Sequence, residues 1–187
     1  YNFKAQSGSD ITITSGTAFN SGSHTQQMWN WRLNGGTTST NSSGSVNVTQ
    51  QVDPSGHFSV STYSGAGGTG TIGHGLSAVP TFVVVKQRNG SNSWATYVAY
   101  CWADCDGYIK SGKYIGNGDA DGPFIYLGFK PALFVIKHVS SGDDPLVWDS
   151  KNGPINPISK TLSMHDSSAI VDNSNRNVDF LSNGVKI

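Results

Sequence analysis

Asn117, Asp119 and Asp121 place side-chain oxygens at alternate positions in the string NGDADG, the spacing with which the first half of a calcium loop wraps a cation. A complete loop needs a bidentate carboxylate at its twelfth position, and Gly128 stands there. The residues favour an Asx-rich turn between strands, with no metal. Asp119 and Asp149 are the carboxylates that a polysaccharide depolymerase would use as a pair. All twelve acidic residues are Asp, and that lack of Glu removes Glu-dependent glycosidases, HExxH peptidases, zinc deaminases and EF-hands closed by Glu. His24, His57, His74, His138 and His165 are dispersed, with no pair at metal spacing. No serine lies in G-x-S-x-G, so a Ser/His/Asp triad would have to be assembled from distant positions.

Trp94 and Trp148 occupy matched loop-to-strand positions, and Asp149 follows the second. Aromatic faces beside Asp or Asn can hold sugars, but repetition in both places favours rings that cap a core. Lys86 and Lys137 end apolar runs and are expected to snorkel to solvent or to pair with a neighbouring chain. The glycine-rich GAGGTG at 65–70 lacks the Lys-Ser/Thr and helix of a phosphate loop and reads as a turn. Cys101 and Cys105 would stand roughly 13 Å apart along a strand, too far for a disulfide unless a turn at Asp104 intervenes. They read as buried apolar groups. No catalytic residue, cofactor or metal ligand is assigned.

The elements that carry these residues are strands. Gly, Ser, Thr and Asn supply 78 of the 187 residues, a turn-rich composition that disfavours helix. Lys and Arg balance Asp at twelve each, so no long-range field draws the chain to nucleic acid or to an anionic membrane. With 13% charged residues, hydration falls to hydroxyls and amides, or other copies cover the surface. The apolar runs, such as FVVV at 82–85, are strand-sized and far short of the roughly 20 residues of a membrane helix. Since FVVV does not alternate, it predicts a central strand buried on both faces, as does FVIK at 134–137. MWNWR at 28–32 predicts a strand with Trp29 and Trp31 on one face.

An internal repeat organises the chain. Tyr63, Gly65, Pro80, Phe82, Val85 and Lys86 match Tyr114, Gly116, Pro131, Leu133, Ile136 and Lys137 at a constant spacing of 51 residues. A one-residue slip would invert every strand side chain, so constant spacing marks homologous units. His74 has no histidine counterpart in the second unit, which favours a turn-stabilising role over shared catalysis. The expected organisation is the end of a preceding unit at 1–34, a Gly/Ser/Thr/Asn-rich linker with an edge strand at 35–57, a first unit at 58–107 and a second at 108–187. The first unit reaches YVAYCW almost at once after Trp94, whereas the second continues for 39 residues after Trp148. That inequality predicts a missing segment near Ala95 and a chain that extends beyond Ile187. The fold class is all-β, with tandem antiparallel sandwich-like units that gain burial from neighbours or other copies.

The strings FSVSTYSGAGGTGTIGHGL, PTFVVVKQR, YVAYCWADCDGY, GNGDADGPFIYLGFKPALFVIK, VWDSK and DFLSNGVKI resemble a repeat-domain family of marine bacteriophage virion proteins, tail fibres and other structural components among them. The resemblance covers about residues 28–187, with GDADGPFIYLGFKPA its most specific stretch. It implies a non-enzymatic virion component acting in assembly and host attachment. Its partners would be other copies, a trimer being one arrangement, other virion proteins, and a host-surface glycan as ligand. It implies no nucleic-acid or membrane partner. A carbohydrate-binding adhesin module and an Asp-dependent polysaccharide depolymerase are the alternatives.

Overall fold

Alternation with period two decides which residues of the first unit meet. In a computed structural model, residues 4–5, 11–12, 28–33, 37–89, 95–164 and 168–187 are described, and the chain divides into units at 1–103 and 104–187. The first unit holds β1 (Lys4–Ala5), β2 (Ile11–Thr12), β3 (Ser39–Asn41), β4 (Val48–Val52), β5 (Phe58–Ser64), β6 (Phe82–Asn89) and β7 (Thr96–Trp102). β1 and β2 pair with each other, and the rest form one antiparallel sheet in the order β3-β4-β5-β7-β6. On one face Phe58, Val60 and Thr62 stand opposite Trp102, Tyr100 and Val98. The Trp102 ring lies 4.8 Å from Phe58, 5.1 Å from Phe82 and 5.5 Å from Trp31, an aromatic cluster that contributes beyond its buried area.

The opposite face carries small residues, Ser59, Ser61, Ala99 and Cys101, all buried. Their size fits what lies on them, because the loop 65–81 presses backbone against this side of the sheet. The Ser59 hydroxyl donates to the His74 carbonyl at 2.6 Å, and Val46 bridges Ile72. Ser45 N–H donates to Thr71 Oγ1 and Thr71 N–H to Ser45 Oγ, each at 2.9 Å. A Cβ on Gly44 would collide with the Thr71 carbonyl, and Gly75, at φ +71°, sits against the Gln50 side chain. Asp53 closes the turn between β4 and β5 by accepting from the backbone N–H groups of Ser55, His57 and Phe58.

The second unit holds β8 (Phe124–Tyr126), β9 (Leu133–Ile136), β10 (Leu146–Asp149), β11 (Lys160–Ser163), β12 (Val171–Asp172), a 3-10 turn at Ser174–Arg176, β13 (Asp179–Leu181) and β14 (Gly184–Lys186). Two antiparallel sheets form, β12-β11-β10-β9 and β13-β14-β8. Trp148 from the first and Phe180 and Val185 from the second meet with Ile158 and Val178 in a buried cluster flanked by Phe134, Leu127 and Ile187. This is a small sandwich. No α-helix occurs among the described residues.

The tandem all-β architecture is as expected, and several details differ. Among the described residues FVVV and FVIK lie at sheet edges, since β6 ends the five-stranded sheet and β9 the four-stranded one. Neither strand is covered on both sides: no residue of β6 is buried, and all four residues of β9 are half-buried, with Phe134 and Ile136 packed against the core. Phe82, Val83 and Val85 are 38%, 48% and 52% exposed. Residues 28–33 form no strand, although Trp31 packs on the cluster. The stretch expected as a linker with an edge strand supplies both β3 and β4, with Val48 buried. Tyr63 lies in β5 but its counterpart Tyr114 lies outside any strand, so the shared element is narrower than the repeat. It is the proline-led apolar strand paired antiparallel with a following strand that contains Trp. The expected break near Ala95 falls at 90–94, outside the described residues, while β6 and β7 pair up to Asn89↔Thr96 as a hairpin.

Candidate functional site

The NGDADG string folds as an Asx turn. Asn117 Oδ1 accepts from Asp119 N–H at 3.2 Å, Asp119 Oδ1 accepts from Asp121 N–H at 3.0 Å, and Asn117 Nδ2 donates to the Asp121 carbonyl at 2.9 Å. Asp121 then meets Lys186 Nζ at 2.6 Å, and the hydrogen bond and charge of Lys186 hold its carboxyl below the usual range. Asp149 is buried on β10, where its Oδ1 accepts from Lys151 N–H at 2.6 Å. Asp119 and Asp149 are thus each engaged by their own turn. Among the described residues no cluster of three His, Cys or Asp side chains is placed to hold a metal ion.

His74 has a turn geometry: its Nδ1 accepts from Leu76 N–H at 3.0 Å. His24 and His165 lie outside the described residues, as does Trp94. Trp148 is 4% exposed, and its indole N–H donates to the Arg176 carbonyl at 2.9 Å. That ring is core and is not open to a ligand. Cys101 and Cys105 are free thiols, and burial raises the pKa of Cys101 against a partial lowering by the Ser59 hydroxyl.

Lys137 is exposed, as expected, and its ammonium turns back on its own loop. Its Nζ donates to the carbonyls of His138, Ser141 and Asp143, so the ammonium organises the loop between β9 and β10. In that loop Ser141, His138 and Asp143 meet, an arrangement with the composition of a catalytic triad. The geometry differs from a relay, because the Ser141 hydroxyl and the Asp143 carboxylate both address His138 Nδ1. A working triad has the acid on one ring nitrogen and the nucleophile on the other. Hydrogen bonds from Ser141 and then His138 hold the Asp143 carboxyl below the usual range.

Beside this loop the four-stranded sheet keeps part of its inner face open. Ile136, Leu146 and Val171 form an apolar floor, and His138, Asp144 and Arg176 stand among the rim residues of a groove of about 730 Å³. Register places the floor on one face, since Ile136 pairs with Leu146 and Leu146 with Ser163. An apolar floor within a rim of charged groups and hydroxyls suits a polyhydroxylated ligand. In the first unit a second cleft of about 450 Å³ lies between the turn 64–70 and the stacked rings of Tyr63 and Tyr97, whose centroids are 5.4 Å apart. Burial, then the neighbouring Tyr97 and Cys101, raises the pKa of the Tyr63 phenol. The polar run HVSSGDDP could have flagged the groove's loop from sequence alone, whereas nothing local tied Arg176 to it.

Two successive all-β units, each built on the same kind of hairpin, define a tandem-repeat protein. The profile of the domain of unknown function DUF7483 matches residues 3–97 and again 91–187, and the chain belongs to that family. No curated protein and no solved structure matches it.

Proposed function

We propose that the chain is a non-catalytic structural component of a bacteriophage virion, a tail fibre or other appendage protein acting in assembly and host attachment. The observation that carries this reading is the tandem of two units of one family. Repeated β units suit a shaft or shell, because length grows by adding units that need contact only their neighbours. The strings that resemble virion proteins support it, as does a chain with only 13% charged residues, which tolerates close packing among copies. Immunogold electron microscopy of phage particles with antibody to this chain tests the reading. Gold on tail appendages is the expected result; gold on the head alone, or on no particle, overturns it.

The groove beside Arg176 favours a second reading, a carbohydrate-binding module at the attachment end of such an appendage. Glycan-array binding that disappears in Arg176→Ala would support this, and an array without binders would remove it.

A further inference from the structure

We propose that the groove of the second unit takes an acidic sugar, whose carboxylate pairs with the Arg176 guanidinium while its ring lies on the apolar floor. The inference rests on the carbohydrate-module reading of this groove and names the class of saccharide. Arg176 ends the 3-10 turn Ser174–Arg176, and its backbone is pinned on both sides. Its N–H donates to the Asn173 carbonyl at 3.0 Å, and its carbonyl accepts from the Trp148 indole at 2.9 Å. Asn173 also caps the turn, its Oδ1 accepting from Asn175 N–H. Arg176 is nonetheless exposed, and among the described residues nothing pairs with its guanidinium. A cation carried on a fixed backbone loses little freedom when a ligand arrives.

The acidic groups around the groove are already engaged. Asp143 is bonded to His138 Nδ1 at 2.9 Å and to the Ser141 hydroxyl, and Asp144 has a partner of its own. Arg176 is thus the charge left to a ligand, and it is a single one, for the described lining holds no lysine and no second arginine. A planar guanidinium meets a carboxylate through two parallel hydrogen bonds. A polysulfate or a nucleic acid needs a row of cations along its path, which this groove lacks. The bonds to the Asp143 carboxylate fall on Oδ2, so Oδ1 remains to accept from a sugar hydroxyl. Ile136, Leu146 and Val171 then receive the C–H face of the ring, within a volume of about 730 Å³ that suits a small-molecule site.

A titrated array of uronic-acid and sialic-acid oligosaccharides, each beside its methyl ester, with sulfated neutral glycans as a third set, tests this on the full chain. The expected result is binding of the acids roughly fivefold or more tighter than of their esters, the scale of one bidentate ion pair at an exposed arginine. Arg176→Gln should bring acid and ester to parity. Arg176→Lys should restore only part of the preference, because an ammonium keeps the charge without the fork. Arg88→Gln, at an exposed position of β6 in the first unit, should leave the preference unchanged. Circular dichroism of all three variants should match wild type, since both arginines are exposed. Acids and esters bound alike, stronger binding of the sulfated set, or a preference that survives Arg176→Gln would each overturn this inference while the module reading stands. An array with no binder at all would overturn both.

Discussion

In the first unit one side of the sheet is covered by backbone, in the second by another sheet. The loop 65–81 reaches Ser59 and Val46 through hydrogen bonds and a bridge, and the residues beneath it are Ser and Ala. Phe180 and Val185 meet Trp148 through apolar contact, and the residues between the sheets are large. One kind of hairpin can therefore be sealed by directional polar contacts, which tolerate no added volume, or by bulk, which tolerates no lost volume. The choice follows from local composition: SGAGGTGTIGHG can lie flat on a sheet, whereas DFLSNGVKI can only add strands.

Removing bulk should do most harm in the second unit. Trp148→Ala empties the centre of its cluster and should cost about 3–5 kcal/mol, the range for large buried aromatics. Hydrogen exchange should accelerate across 104–187, and unchanged protection there would break the comparison. Adding volume comes next. Gly44→Ala, whose Cβ meets the Thr71 carbonyl, should cost about 1–3 kcal/mol and lift the loop from the first sheet. Proteolysis within 65–81 of the folded protein would report it, and equal resistance to wild type would argue against a backbone seal.

Asp53→Ala should cost about 1–2 kcal/mol by leaving the β4–β5 turn without its acceptor. Burial raises the pKa of the Asp53 carboxyl, but the hydrogen bonds from Ser55, Phe58 and His57 outweigh it and the net shift is downward. A lowered folded-state pKa means that the contribution is fully present above the ordinary Asp value of 3.8 and lost as pH falls through the folded value. Acid titration of the first unit's unfolding should therefore steepen below that value in wild type and flatten in Asp53→Ala. The smallest effect is expected at the surface. Asp121→Ala removes the exposed pair with Lys186, and its slight change in melting temperature should vanish in high salt.

The alternation of FSVSTY and YVAYCW made β5 and β7 legible, because period two leaves few other readings. The same rule misplaced FVVV, since an apolar run is compatible with a buried strand and with an edge whose outer side lacks cover. KTLS is not legible in its polar surroundings, because the burial of Thr161 comes from tertiary packing that no local pattern encodes. Repetition indicated that the matched tryptophans were core, and Trp148 is. The groove was illegible for a related reason, as Arg176 joins it through sheet pairing across some 30 residues of chain.

Five tryptophans lie in the chain, yet Trp148 alone falls within 104–187. An indole sealed from water with its N–H fixed on a carbonyl emits at shorter wavelength than one in contact with solvent, such as Trp31 at 40% exposure. The second unit thus carries a built-in optical label. A difference emission spectrum between wild type and Trp148→Phe isolates it, so the two repeats can be followed separately in one cuvette with no dye attached.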